Sequence, residues 1–424
     1  MLETLRNAWA VKDIRRKILF TVFILIVFRI GSVIPVPFID VETLKTVMDA
    51  NTGLMSISVL TGGALDYGAI FALSVTPYIN SSIIIQLLSV AIPALERLSK
   101  EGEEGKKKLA QITRYTTVIL SLLQGTAFFI YLNSAGVNCI NAEGGLVWLA
   151  GIVVVLTLTA GSTLVMWLGE QIDTKGIGNG ISMILFAGII ARGPQAAIVL
   201  WMNLTEKPVA VVAIVLIFLV LIMFVVWMTA AERRIPVQYA KRVVGNKMYG
   251  GQNTHIPIKV NMSGVMPVIF ASSILMLPTM IQGFMKQDPE NWWFKFFGLF
   301  STQGVFYAIL YFILIIAFAY FYATIQFNPV EMTNNLRKNG GSIPGIRPGK
   351  PTSDFISKIL SRITLMGAFF LSVVAILPIA VGQIGAMNIS LGGTSMLILV
   401  GVALDTVQNL ESQMMMRHYK GFLD

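Results

Sequence analysis

The sequence predicts an all-α integral membrane protein whose ten transmembrane helices form two inverted halves of five. Three observations predict it. Of 424 residues, 55% are hydrophobic and only 13% are charged, about half the charged share that a water-covered surface needs. Ten apolar stretches approach the roughly 20 residues that cross a hydrocarbon core of about 30 Å. Lys and Arg fall almost entirely on alternate connections between those stretches.

The stretches lie near 18–36, 70–92, 115–133, 147–168, 180–200, 209–230, 263–283, 304–324, 363–381 and 394–413. The first begins at Ile18 and runs into a turn holding Pro35 and Pro37. It lacks the small-residue cleavage site of a signal peptide and reads as a span. The connection after it holds GLMSISVLTGGALDYGA at 53–69, half apolar and too short to cross. That segment is either an interfacial half-helix or a piece folded back into a central cavity. The second span carries Pro77, Asn80, Ser81, Ser82 and Gln86. The fifth opens on Gly176, Gly178, Asn179 and Gly180, and the seventh holds Pro267, Ser272 and Ser273. Polar and helix-breaking residues are tolerated at membrane depth where they face protein or water, so these helices are expected to surround a path. The connections at 231–262 and 325–362 are long, basic and rich in Gly, Pro and Asn. Large partners would dock on their side.

The N-terminal tail, the even-numbered connections and the C-terminal tail together hold 26 of the 32 Lys and Arg residues. The odd-numbered connections hold five: Lys45, Arg192, Lys207, Lys286 and Lys295. The last, Arg29, lies inside the first span. The positive-inside rule then places both termini and the basic loops in the cytoplasm. Five spans per half give halves of opposite topology, as in inverted-repeat transport proteins. The halves are residues 1–200 and 201–424. This is a topology argument; no sequence repeat aligns.

Several chemistries are excluded. One cysteine, Cys139, permits no intrachain disulfide, and His255 and His418 suggest no metal site. Gly349-Lys350 is followed by Pro351, and Pro344 stands where the first glycine of a phosphate loop would be. No cluster suggests nucleophilic catalysis. Arg29 and Asp405 are isolated intramembrane charges with no proton relay between them; each reads as a functional charge or a buried hydrogen-bonded anchor, and for Asp405 nearness to the cytoplasmic interface is the better explanation. The expectation is a non-enzyme without cofactor or metal, driven by a gradient or a partner.

Six strings then carry a resemblance. PYINSSIIIQLL (77–88), KEGEEGKKKLAQITRY (100–115), GEQIDTKGIGNGISM (169–183), IPIKVNMSGVMPVIFASSI (256–274), NGGSIPGIRPGKPT (339–352) and LGGTSMLILV (391–400) are similar to signatures of the SecY family. They occur in family order, and the resemblance runs from about residue 10 to 415. The resemblance implies a clamshell around an hourglass pore, hinged near 192–208 and opening sideways to lipid between the second and seventh spans. It implies an apolar ring of Ile79, Ile83, Ile181, Leu185, Ile269 and Ile398, where Leu185 replaces the more usual Ile. It makes 53–69 a half-helix plug, with Ile57, Leu60, Gly62, Gly63, Ala64 and Leu65 in its centre. Asn80, Gln86, Ser272 and Ser273 would weaken the lateral gate seam. Arg347, Lys241, Arg242 and Lys247 would contact the ATPase SecA or ribosomal RNA, and SecE and SecG would be the companion subunits. The implied function is a channel of the bacterial inner membrane. It would pass unfolded secretory polypeptides with their signal sequences and release transmembrane segments into lipid. An apolar constriction suits that task, because it dewets against ions and grips no particular side chain. The alternative is a secondary transporter of a small solute, which would place hydrogen-bonding groups at the midplane; the matching positions here are aliphatic.

Overall fold

The computed structural model describes residues 6, 8–50, 58, 61–133, 139–141, 146–206, 208–239, 242–244, 247–249, 253–284, 292–300, 304–385 and 393–420. Every expected span is met by a helix. In the first half these are α1 (Lys12–Gly31), α3 (Thr76–Ala91), α5 (Glu103–Leu132), α6 (Leu146–Lys175) and the pair α7 (Gly180–Ala191) and α8 (Gly193–Glu206). A short α2 (Val41–Ala50) follows α1, and α4 (Pro93–Lys100) leaves α3 at a bend of 101°. The second half supplies α9 (Pro208–Ala230), α10 (Met266–Phe284), α12 (Val305–Gln326), α14 (Lys350–Gly385) and α15 (Gly393–Lys420). Two further short helices are α11 (Trp292–Gly298) and α13 (Pro329–Lys338). Among the described residues, six units are long and apolar enough to cross a membrane unaided: α5, α6, α7–α8, α9, α12 and α14. The bent α3–α4 pair makes a possible seventh. The weaker helices are those the sequence marks by charge, proline or polar residues.

Two expectations change. The segment 192–208, read as a hinge connection, is helical over Gly193–Glu206, so residue 207 alone separates α8 from α9. The basic connections are not open loops. There β1 (Glu232–Tyr239) pairs antiparallel with β4 (Asn253–Lys259), from Glu232↔Lys259 to Gln238↔Asn253. A short β5 (Gly341–Ser342) joins the other edge of β1, and β2 (Arg242–Val244) pairs with β3 (Lys247–Tyr249). Ile235, Val237 and Ile258 point from the sheet into a small core with Leu336, Ile343, Ile356 and Leu360. Alternation of period two within ERRIPVQY is what buries one face of β1. The Asn328 side chain caps α13, accepting from the Val330 and Glu331 amides, with Pro329 at the first turn.

Helices α1, α3, α5, α6 and α7 pack as one bundle, and α9, α10, α12, α14 and α15 as another. The bundles meet along two seams. One lies between α7 and α15, the other between α3 with α5 and α10. Lipid gives helices no hydrophobic reason to associate, so close packing and small residues hold them. Gly180 is the sharpest case: a Cβ there would lie 1.9 Å from the Gly169 carbonyl oxygen, so α6 and α7 touch backbone to backbone. Asp173 accepts from the Gly180 amide at 2.7 Å and Asn179 from the Ser182 amide at 3.1 Å. These contacts explain the run GEQIDTKGIGNGISM as a tight reversal between two helices. On the side away from the basic loops, Asp40 starts α2. Its carboxylate accepts from the Thr43 hydroxyl at 2.6 Å and the Glu42 amide at 3.1 Å. The Thr43 bond first, then the Glu42 amide, hold it below the usual carboxylate range.

Candidate functional site

The six ring positions come from four helices: α3 (Ile79, Ile83), α7 (Ile181, Leu185), α10 (Ile269) and α15 (Ile398). All belong to one apolar cluster between the two bundles. Five are buried and Ile181 packs against them half-buried. The spacing of four within α3 and within α7 sets each pair on one helix face.

Toward the basic side, a cavity of about 720 Å³ opens above this cluster. Its wall includes Asn179, Glu232, Lys259, Val402, Asp405 and Gln408. Lys259 donates to Gln408 across it. Val402 stands one helical turn beyond Ile398, so the polar cavity reaches down to the apolar zone. Asp405 lines this cavity and does not face lipid, which explains a carboxylate in the last span.

On the opposite side lies the segment expected to be the plug. Ile57 and Leu60 lie outside the described residues. Thr61–Leu65 is wholly buried and runs as turns, and Ser58 before it is helical. Gly62 has φ +67°, and a Cβ there would meet the Gly188 Cα of α7 at 2.6 Å. Only glycine allows both that φ and that approach. Gly188 is three residues beyond Leu185, about 4.5 Å along the helix. The segment therefore abuts the apolar cluster from outside. Two arginines hold it. Arg29 of α1 donates from Nη1 to the Gly62 carbonyl at 2.9 Å. Arg192, at the end of α7, pairs through Nη2 with Asp66 and donates to the Ser58 hydroxyl at 2.5 Å. Ser58 also donates to Asp66. Arg29 is thus the anchor that its sequence position suggests. Arg192, counted from sequence only as an outer-loop cation, is buried, and Asp66 and Ser58 were not singled out at all. An acid inside a short apolar segment is the signal that could have prompted a search for its base.

The four expected gate residues differ in what they do. Ser272 bonds back to Ile269 of its own helix at 2.9 Å. Asn80 is buried with no acceptor for its Nδ2, and Ser273 is buried. Gln86 accepts from the Tyr322 hydroxyl of α12 at 3.3 Å, across the seam. On the basic side, Arg347 is exposed at the tip of the turn between β5 and α14. Pro344, Pro348 and the positive-φ residues Gly345 and Gly349 frame that turn. Buried Ile343 roots the turn in the small core, and Thr352 donates to the Arg347 carbonyl at 2.8 Å. Arg242 and Lys247 lie on the β2–β3 hairpin; Lys241 lies outside the described residues. Among the described residues, no group of three His, Cys, Asp or Glu could hold a metal ion.

The family model for SecY matches residues 69–407, which include every ring residue. The chain belongs to the SecY family. The protein translocase subunit SecY of Mycobacterium tuberculosis is 43% identical over the full length of both chains. Two solved structures share the fold. One concerns the SecY plug domain, which stabilises the closed state of the translocation channel and maintains a membrane seal; it covers 94% of this chain and 92% of its own, with a TM-score of 0.66 and 18% identity. The other is Sec61 in the canine ribosome–channel complex, with the same coverages, a TM-score of 0.62 and 16% identity. SecY-family membership makes this chain a protein-conducting channel subunit of a translocase in the membrane, and the small-solute reading falls away.

Proposed function

We propose that the axis from the 720 Å³ cavity through the aliphatic cluster to Thr61–Leu65 is the conducting path, and that the structure is its resting state. The cavity is the mouth, the six aliphatic residues are the gasket and the buried turns are the plug. The halves 1–200 and 201–424 move apart at the α3–α10 seam to admit an apolar segment to lipid, with the pivot beside residue 207. The observation that carries this reading is the succession of three unlike, adjoining zones: polar cavity, aliphatic ring, glycine-rich stopper. A polypeptide passes such a ring without specific recognition, while an ion stripped of water does not.

Both termini and the β-sheet cap are then cytoplasmic, by the charge asymmetry, in a bacterial inner membrane. The cap presents Arg347 and the β2–β3 hairpin to a cytoplasmic partner, the ATPase SecA or ribosomal RNA, and SecE and SecG complete the complex. The canine structural neighbour, seen in a ribosome–channel complex, supports a ribosome as one such partner. The chain itself performs no catalysis, and energy comes from the partner.

A crosslink tests the path. Cysteine is placed at Ile83 after Cys139→Ser, and a secretory chain bearing one cysteine is stalled in transit. A disulfide between them is expected. Its absence there and at Ile181 and Ile269, with the stalled chain still spanning the membrane, overturns the assignment.

A further inference from the structure

Tyr322 touches three helices. It belongs to α12; its ring lies 5.3 Å, centroid to centroid, from that of Phe270 on α10; its hydroxyl donates to Gln86 Oε1 on α3. Phe270 is itself buried and held edge-on by Phe318 of α12 at 6.0 Å. The ring is thereby fixed within the second bundle, and the hydroxyl reaches the first. Gln86 lies five residues from the end of α3, about 8 Å, so the bond sits near the basic-side end of the seam. About 9 Å deeper on α3, Asn80 has no acceptor for its Nδ2, and Ser272 is satisfied within α10.

We propose that Tyr322 is a positioning residue of the lateral exit: ring on Phe270 and hydroxyl on Gln86, it clasps the seam shut and sets how apolar a segment must be to leave for lipid. The proposal rests on reading the α3–α10 seam as the exit. Opening the seam separates the hydroxyl from Gln86 where little water is present to replace either partner. A segment that drives the opening must gain more by entering lipid than this bond and the ring contact lose. Tyr322→Phe keeps the ring and removes the clasp; Gln86→Met removes the acceptor and keeps the chain length.

The test uses the complete channel complex in vesicles and a series of segments of graded hydrophobicity. It reads the ratio of integrated to fully translocated chains, with a crosslinker on the segment reporting contact with α3 and α10. Interhelical side-chain bonds in membranes predict about a threefold rise in that ratio at the threshold segment for Tyr322→Phe, with about 20-fold as the ceiling. Gln86→Met should give a rise of the same order, and the double variant no more than the larger single effect. Thermal stability should stay at wild-type values, which a merely structural role would not predict. An unchanged ratio in either variant, with crosslinks to α3 and α10 retained, overturns the clasp and leaves the exit in place. Loss of those crosslinks in the wild type overturns the exit itself, and the clasp with it.

Discussion

Asp66→Ala should unlatch the plug, and its size follows from the geometry. The Arg192 side chain is 9% exposed and that of Asp66 28% exposed. Removing one partner of a buried pair costs about 3–5 kcal/mol, mostly because the other charge stays buried alone. Arg192 keeps Ser58 as an acceptor at 2.5 Å, so the low end, about 3 kcal/mol, applies. With the plug withdrawn, Arg192 regains water and no such cost remains. The closed-to-open ratio should therefore fall about 150-fold, since each 1.4 kcal/mol is tenfold. Single-channel recording of the reconstituted complex reads the resting open fraction directly. Arg192→Ala should act in the same direction, and Asp66→Ala/Arg192→Ala should fall well short of the sum, because the two act as one pair. Ser58→Ala, which leaves the ion pair in place, should give a smaller rise. Resting conductance within twofold of wild type in all three single variants, with the complex intact, would refute the latch.

Three other predictions follow from the same geometry. Arg347→Glu should abolish ATPase-driven secretion while the protein still inserts, because its turn is rooted in the small core and only the tip changes; normal secretion rates in vesicles would contradict the docking role. Replacing Ile79, Ile83 and Ile269 together with Gly should raise ion conductance above background, since three side chains leave one apolar cluster; background conductance would mean that the ring lies elsewhere. Cys139 is buried and burial pushes its thiol up to about 11, so its reactive thiolate is scarce at pH 8. Maleimide labelling of the native channel should be negligible at pH 8, climb about tenfold per pH unit toward 11, and become fast at pH 8 on denaturation, where the thiol returns to about 8.5.

Much of the fold is legible in the sequence because bilayer thickness and charge sidedness act on single segments. Each of the ten apolar stretches is met by a helix, and the polar interruptions at Asn80, Gln86 and Ser272 mark helices that line the seam. The sheet in the basic connections is harder to read, because β1 and β4 are short and pair across an intervening hairpin. Gly and Pro density there suggests loop, while the two-residue alternation of Ile235 and Val237 is too brief to weigh against it. Helix α8 extends the fifth span where a connection is expected, since GPQAAIVLWMNLTE carries only a modest apolar bias. The contacts of Arg192 with Asp66 and of Tyr322 with Gln86 are hard to read from sequence for another reason. Arg192 meets Asp66 across 126 residues and Tyr322 meets Gln86 across 236, and neither pair leaves a local pattern. Arg29 is the exception, since a lone cation in a span must find an acceptor nearby.

On the path proposed above the apolar ring is also short, and this would set how cargo moves. Ile79 to Ile83 spans four residues of helix, about 6 Å, while an extended chain advances about 3.3 Å per residue. About two cargo residues are dehydrated at any moment; those behind them sit in the polar cavity among Lys259, Asp405 and Gln408, and those ahead have already left. Transit is then a sequence of brief local tolls rather than one large barrier. A lone lysine delays passage once, two adjacent lysines face the ring together, and two lysines ten residues apart meet it separately. Pause times along a cargo should thus follow the local spacing of its charges and hardly depend on its total charge.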